Sequence, residues 1–114
     1  MSSRRGAIPE HARNALRERL ERHARTALAG RCEGVRVRFR GTYAYVDVFP
    51  PGESPMSAPV QLCRLGYLGS DERWAFAFFK YSDETYEAAV GLSGSPWVTP
   101  EEAFDCSAFA YLAA

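Results

Sequence analysis

The sequence predicts an α+β fold, with an antiparallel meander sheet of four to five strands flanked by an N-terminal and a C-terminal helix. Apolar residues recur at helical spacing near both ends of the chain, and residues 35–49 and 60–81 alternate with a period of two between turn-forming segments. A chain of 114 residues has the size of one domain. We therefore expect a flexible tail over residues 1–8 and a single domain over residues 9–114.

One apolar stripe predicts the first helix, from Pro9 to about Ala29. Proline is favoured in the first turn, and Gly30 is a normal C-terminal glycine. The stripe has the i, i+4, i+8, i+11, i+12 spacing of a buried helix face; its members are Leu16, Leu20, Ala24, Ala27 and Leu28. The opposite side carries arginines and is expected to be a solvated face; these are Arg13, Arg17, Arg19, Arg22 and Arg25.

The segment VRVRFRGTYAYVDV, residues 35–48, predicts a β-hairpin. Its two-residue loop begins with Gly41, which indicates a type II′ turn and sets the register. One face is apolar and should be core; it comprises Val35, Val37, Phe39, Ala44, Val46 and Val48. The other face is polar and pairs Arg36 with Asp47, Arg38 with Tyr45 and Arg40 with Tyr43. Such cross-strand pairs let the face satisfy part of its own charge.

A ten-residue loop over 50–59 leads to a second strand pair, residues 60–67 and 73–81. A tight turn would pair Tyr67 with Trp74, Leu65 with Phe76 and Cys63 with Phe78, and this aromatic face should join the core. The opposite face carries Leu62, Arg64, Ala75, Ala77, Phe79 and Tyr81. This second face is too apolar to be simply solvated, so we expect a helix, a second subunit or a ligand to cover it.

The C-terminal part predicts a short extended segment at 85–90, a flexible loop at 91–96 and a final helix. Thr99 and Glu102 have the spacing of a capping box, and Pro100 occupies the first helical position. The helix should run to about Leu112. Its buried stripe should consist of Phe104, Ala108, Tyr111 and Leu112.

No motif for catalysis or cofactor binding stands out. His11 and His23 lie out of phase on the first helix, so they do not converge on a metal. Three widely spaced cysteines favour buried thiols over a disulfide framework or a zinc site. Phosphate-binding glycine loops and nucleophile motifs are missing. We expect no metal and no cofactor, and an enzyme of unidentified class is less favoured than a binding protein.

The formal net charge is zero, but its distribution is uneven. Residues 1–41 hold eleven arginines against four acids, and residues 42–114 hold three basic residues against ten acids. The halves either neutralise each other, in the fold or across a dimer, or indicate a nucleic-acid or acidic partner. The N-terminus has no apolar signal region and no apolar run approaches a membrane span. We expect a cytoplasmic protein without a membrane partner.

Two hypotheses on function use the same sheet face. The first is a protein-interaction or homodimer surface, since arginine and tyrosine are enriched at interface hot spots. The alternative is a single-stranded DNA or RNA binder, which combines cationic and aromatic side chains on one surface. The candidate binding residues are Arg36, Arg38, Arg40, Tyr43, Tyr45, Arg64, Phe79 and Tyr81.

The segments LCRLGYLGSDERWAFAFFKYSDETYE and TPEEAFDCSAFAYL lie between Leu62 and Leu112. They resemble a group of small bacterial hypothetical proteins without a known activity. The resemblance covers somewhat less than half of the chain and implies a compact bacterial cytoplasmic domain. It implies no site and no reaction.

Overall fold

The computed structural model describes residues 8–27, 34–49, 59–70, 72–80, 82–91 and 93–112. Within them the α+β prediction is confirmed. The elements in chain order are α1 (Glu10–Ala27), β1 (Gly34–Arg40), β2 (Tyr43–Phe49), β3 (Val60–Tyr67), β4 (Trp74–Lys80), β5 (Thr85–Ala88), β6 (Trp97–Val98) and α2 (Pro100–Leu112). The sheet is an antiparallel meander in the order β1-β2-β3-β4-β5, and β6 also pairs with β4.

Helix α1 buries the predicted stripe as far as it is described. Leu16, Leu20 and Ala24 are at most 5 % exposed, and the stripe extends backwards through Ala12 to Ile8. Ile8, which the tail prediction included, is 1 % exposed and belongs to the core. The predicted C-terminal end of the helix and residues 1–7 lie outside the described residues.

The β1–β2 hairpin has the predicted register in every pair. Gly41 has φ of 61°, while Thr42 keeps a negative φ, as a type II′ turn requires. The predicted apolar face is core or packs directly against it, because Val37, Ala44, Val46 and Val48 join the core cluster and Val35 and Phe39 pack on it.

A β-bulge in β3 corrects one prediction. Val46 pairs with Cys63 and Asp47 pairs with Gln61, so Leu62 is an extra residue between them. The period of two breaks at this point, and Leu62 lies in the core at 0 % exposure instead of on the face of Arg64. The bulge lets Gln61 and Arg64 share one face although three positions separate them.

The β3–β4 pair has the predicted register, with Tyr67 opposite Trp74 and Cys63 opposite Phe78. The strand β6 was missed, because residues 91–96 were read as a loop that leads directly into the last helix. Val98 lies opposite Trp74 and is fully buried. Residues 50–58 of the predicted loop at 50–59 lie outside the described residues, as does Tyr81.

The start of α2 follows half of the predicted capping box. The Thr99 hydroxyl accepts the Glu102 N–H at 3.2 Å. The Glu102 carboxylate does not return to Thr99; it accepts the Ser93 N–H at 3.1 Å and so ties down the preceding loop. Phe104 and Ala108 are buried as predicted, and Ala103 and Ser107 join them.

Both helices pack on the same face of the sheet, since their buried residues form one cluster with the apolar strand residues. The helices are linked by charge. Arg19 donates two hydrogen bonds to Glu101, at 2.9 and 2.7 Å, and His23 lies 2.7 Å from Asp105. The basic N-terminal half and the acidic C-terminal half therefore neutralise each other in part within the fold. Part of the arginine face of α1 is consequently not solvated as predicted.

Candidate functional site

The opposite face of the sheet, here called the outer face, is not covered by a helix in the part of the chain that the structure describes. Strand alternation and the register place a mixed set of side chains on it: Arg36, Arg38, Arg40, Tyr43, Tyr45, Asp47, Gln61, Arg64, Ala75, Ala77, Phe79 and Tyr86. Within this set, four guanidinium groups share the face with one carboxylate. The outer face is therefore cationic and aromatic.

Asp47 organises the β1 side of the outer face. Its carboxylate is fully buried and accepts hydrogen bonds from Arg36 at 3.1 and 2.9 Å and from Arg38 at 2.9 and 3.4 Å. These hydrogen bonds, opposed by burial, raise the pKa of Arg38 above its ordinary value. Because both arginines use Nε and Nη2 on one carboxylate, their guanidinium planes are fixed while Nη1 stays out of these bonds.

Arg64 lies between two aromatic rings. Its guanidinium carbon is 4.2 Å from the Tyr43 ring centroid and 5.6 Å from the Tyr86 ring centroid. Both distances fall within the range of a cation–π contact. The predicted partner of Tyr43 was Arg40, which lies opposite it in the register. Arg64 from the next strand contacts that ring instead. The Tyr43 ring lies over Gly66, where an added Cβ would come within 3.4 Å of its Cε1 atom.

The apolar part of the outer face is covered by the chain itself. Phe79 and Ala77 are only 6 % and 4 % exposed. The Tyr86 ring packs on Phe79 with its centroid at 5.0 Å, and Arg64 lies directly opposite Ala77 in the register. A helix, a second subunit or a ligand was expected to cover these residues. Instead, Tyr86 of strand β5 covers Phe79.

Three tyrosines form a connected row across the outer face. The Tyr45 ring centroid is 6.3 Å from that of Tyr43 and 5.3 Å from that of Tyr86. Burial raises the pKa of Tyr86, and the nearby Asp47 adds to this, while Arg38 and Gln61 act in the opposite direction. The phenol of Tyr86 is therefore neutral at physiological pH and can donate or accept a hydrogen bond.

An open cleft of about 480 Å³ runs across this row. Its lining is cationic on the β1 side and aromatic or amide in character farther along the sheet; it consists of Arg38, Phe39, Arg40, Tyr45, Gln61 and Tyr86. Gln61 approaches the Tyr86 hydroxyl at 3.5 Å, a long hydrogen bond. Arg40 is exposed, and its side chain makes no ion pair or hydrogen bond with any residue that the structure describes.

Trp97 extends the aromatic set at the other end of the outer face. It pairs with Ala75, which in turn pairs with Gly66, the partner of Tyr43. Only these two small residues therefore separate Tyr43 from Trp97 across the sheet. The indole is 56 % exposed, and Tyr43 is 38 % exposed. Both rings are therefore accessible to a planar partner.

The structure places most of the predicted site residues together. Arg36, Arg38, Arg40, Tyr43, Tyr45 and Arg64 share the outer face. Phe79 lies on the same face but beneath Tyr86, and Tyr81 is outside the described residues. The sequence reasoning missed Tyr86, Gln61 and Trp97. The alternation in TYEA, which puts Tyr86 across from Phe79, is the signal that would have found the first.

One described cysteine, Cys63, is fully buried in the core. Burial raises the pKa of Cys63 to about 12, so this thiol stays protonated and unreactive. Cys63 thus fits the predicted buried thiol, Cys106 is half-buried, and Cys32 lies outside the described residues. Among the described residues, no group of three potential ligands could hold a metal ion. No described helix has both the length and the apolarity that a membrane crossing needs.

No protein-family model matches the chain, and searches of curated proteins and of solved structures find no similar protein. The resemblance of residues 62–112 to small bacterial proteins thus stays an expectation. Only the geometry of the outer face bears on function.

Proposed function

We propose that the protein binds single-stranded nucleic acid on its outer face. The observation that carries this proposal is that arginines and aromatic rings share one face of the sheet, which no described helix covers. Non-specific single-strand binders use a cationic surface for the phosphates and aromatic side chains on which the bases stack. Arg40 and Arg64 offer positive charge, and Trp97 offers an exposed indole. Tyr43 and Tyr45 contribute as cation–π pairs with Arg64 and Arg38.

Rigidity supports the proposal. The buried Asp47 holds Arg36 and Arg38 in fixed orientations, although their side chains remain 46 % and 42 % exposed. A preformed surface loses less side-chain entropy on binding than four free arginines would. The same carboxylate lowers the local positive charge, so the expected binding is moderate and strongly dependent on salt.

The argument for a protein partner is weaker than the sequence indicated. It rested in part on an apolar strip formed by Ala75, Ala77, Phe79 and Tyr81. Tyr86 from the same chain packs on Phe79, and Phe79 and Ala77 are only 6 % and 4 % exposed. What remains exposed is mainly cationic. A cationic surface favours phosphate over an apolar protein partner.

Fluorescence anisotropy with a labelled oligonucleotide of about 12 residues, long enough for one site, tests the proposal. Each phosphate contact contributes about 0.7 to the salt slope for a single strand, so three contacts predict a roughly 20-fold loss of affinity from about 50 to 200 mM salt. A lack of binding at about 50 mM salt would refute the proposal.

A charge-matched pair of variants locates the surface. Arg40→Gln with Arg64→Gln should weaken binding and reduce the salt slope by about 1.4, because two phosphate contacts are lost. Arg22→Gln with Arg25→Gln removes the same charge from exposed positions of α1, on the other side of the sheet. If both double variants lose the same affinity, net charge alone drives binding and the outer face is not the site.

An aromatic pair tests stacking. Trp97→Ala should cost about 1–3 kcal/mol of binding free energy if a base stacks on the indole. Val90→Ala removes a similarly exposed apolar side chain, at 55 % against 56 %, and should leave affinity unchanged. Equal affinities for both variants would show that Trp97 does not contact the strand.

Self-association is the second candidate, and one observation favours it. Trp97 and Leu68 are at least 50 % exposed, and Tyr43 is 38 % exposed. Pairing through the free edge of β1 would bring arginines of two copies opposite each other, which is unfavourable. A homodimer would therefore use the outer face. Light scattering at high protein concentration tests this candidate: a monomer would argue against it, and a dimer that Trp97→Ala dissociates would support it.

A further inference from the structure

We infer that the cleft beside Tyr45 is a subsite for a single nucleotide, with the phosphate at Arg40 and Arg38 and the base on the Tyr45 ring. This inference rests on the proposed function and specifies where one unit of the strand is held. The ligand class is a nucleoside monophosphate, either free or as one unit within a strand.

The size of the cleft fits this ligand. Small-molecule sites usually enclose roughly 300–1,000 Å³, and the cleft measures about 480 Å³. It is also the part of the outer face where charged, aromatic and neutral polar groups meet. A purely charged patch would attract phosphate alone, whereas this open cleft also presents an aromatic ring and an amide to a base.

The order of the side chains across the sheet separates phosphate from base. Arg38 and Arg40 belong to β1, Tyr45 to β2 and Gln61 to β3. A ligand that spans these strands meets positive charge first, then an aromatic face, then an amide. This sequence of groups matches a phosphate, a stacked base and a base edge that forms hydrogen bonds.

The two arginines have different roles in the cleft. Arg38 is held by Asp47 through Nε and Nη2, so it can offer only its remaining N–H groups in a fixed direction. Arg40 is not held by any described side chain and can close on the phosphate with its whole guanidinium fork. We therefore assign the larger share of phosphate binding to Arg40.

The uncharged side chains of Gln61 and Tyr86 can form hydrogen bonds with the edge of a base. The Gln61 amide contacts the Tyr86 hydroxyl at the long distance of 3.5 Å. An amide and a phenol each offer both a donor and an acceptor, which the edge of a base can use. Tyr45 is flanked by two other tyrosine rings, and the Arg38 guanidinium carbon lies over it at 5.3 Å from the ring centroid. Arg38 and Tyr45 therefore form one surface, and bases stack on guanidinium planes as well as on aromatic rings.

Backbone and side-chain amide NMR of the full chain tests the subsite with three probes: adenosine monophosphate, adenosine and inorganic phosphate. We expect the monophosphate to shift the Gln61 side-chain amide and the backbone amides of residues 38–45. We also expect it to bind roughly tenfold more tightly than adenosine or phosphate alone, because it joins both halves of the site. Equal affinity for monophosphate and phosphate would overturn the base-binding half of the inference.

Two variants complete the test. Arg40→Gln should weaken monophosphate binding roughly tenfold, since a charge-assisted contact is lost, whereas Arg22→Gln on α1 should not change it. If the oligonucleotide binds but the monophosphate causes no shifts around the cleft at about 10 mM, a level far above useful affinity, the subsite is refuted and the proposed function survives. If the monophosphate binds and no oligonucleotide does, the subsite stands and single-strand binding is refuted.

Discussion

Two arginines share the buried carboxylate of Asp47, and this predicts how the free energy of unfolding changes when one or both are replaced. If either arginine is replaced, the other still donates hydrogen bonds to the carboxylate. Arg36→Met leaves both carboxylate oxygens of Asp47 bonded to Arg38, and Arg38→Met leaves two bonds from Arg36. Methionine keeps the side-chain length but cannot donate a hydrogen bond.

The expected costs differ strongly between single and double variants. A hydrogen bond to a charged group contributes about 1.5–3 kcal/mol. Because Arg36 and Arg38 are 46 % and 42 % exposed, solvent screening lowers the expected cost of each single change to about 1 kcal/mol. The double variant leaves a carboxylate at 0 % exposure without these partners. Such an uncompensated buried charge costs about 3–5 kcal/mol, well beyond the sum of the single changes.

Urea unfolding followed by circular dichroism measures these free energies. Adding Asp47→Asn to the double variant should restore about 2 kcal/mol, because the buried charge is removed with its partners. Arg22→Met, at a side chain that is 62 % exposed, is the matched control and should cost less than about 0.5 kcal/mol. Strictly additive single and double variants, or a triple variant less stable than the double, would refute the idea that Asp47 is stabilised redundantly.

Three further outcomes are expected. Gly41→Ala should lower the free energy of unfolding, measured with urea, by about 1 kcal/mol, since its φ of 61° disfavours a Cβ. Gly34→Ala is the control, because a Cβ there meets no atom within 4 Å and the φ of Gly34 is not positive. Although burial raises the pKa of Glu101, hydrogen bonds from Arg19 outweigh it and hold the pKa below 4.5. The stability from this pair is thus present above the ordinary pKa of Glu101 and is lost as pH falls through the lower folded pKa. Glu101→Gln should therefore be less stable than the natural chain at pH ~7, and the difference should shrink as pH falls below the ordinary pKa; a difference that does not shrink with falling pH would contradict this. Iodoacetamide at pH ~8 should label Cys63 only after unfolding, as read by peptide mass spectrometry, because its folded pKa is about 12; rapid labelling of the folded chain would count against its burial.

Local patterns were enough to predict the hairpin and its register. Strict alternation sorted each side chain to a face, and the two-residue turn aligned the strands. The pairing of Arg36 with Asp47 followed directly from that register. Alternation failed at Leu62, because a bulge depends on how three neighbouring strands twist together and leaves no mark in composition.

The candidate site was only partly predictable for the same reason. Its β1–β2 residues belong to one hairpin, so they could be placed by counting along the chain. Tyr86 and Trp97 reach the outer face because two short strands, β5 and β6, both pair with β4. A two-residue strand such as β6 carries no periodicity to detect, since a period needs several residues to show.

By itself, the sequence determined the α+β class, the order of the main elements and an arginine–tyrosine face over a valine core, because these depend on periodicity and turn chemistry within short segments. Only the tertiary structure decided which groups meet on that face. It gave Asp47 two arginines instead of one, stacked Arg64 between Tyr43 and Tyr86, and covered Phe79 from within the chain. Side-chain contacts between strands far apart in sequence depend on sheet order and twist, which no local pattern encodes.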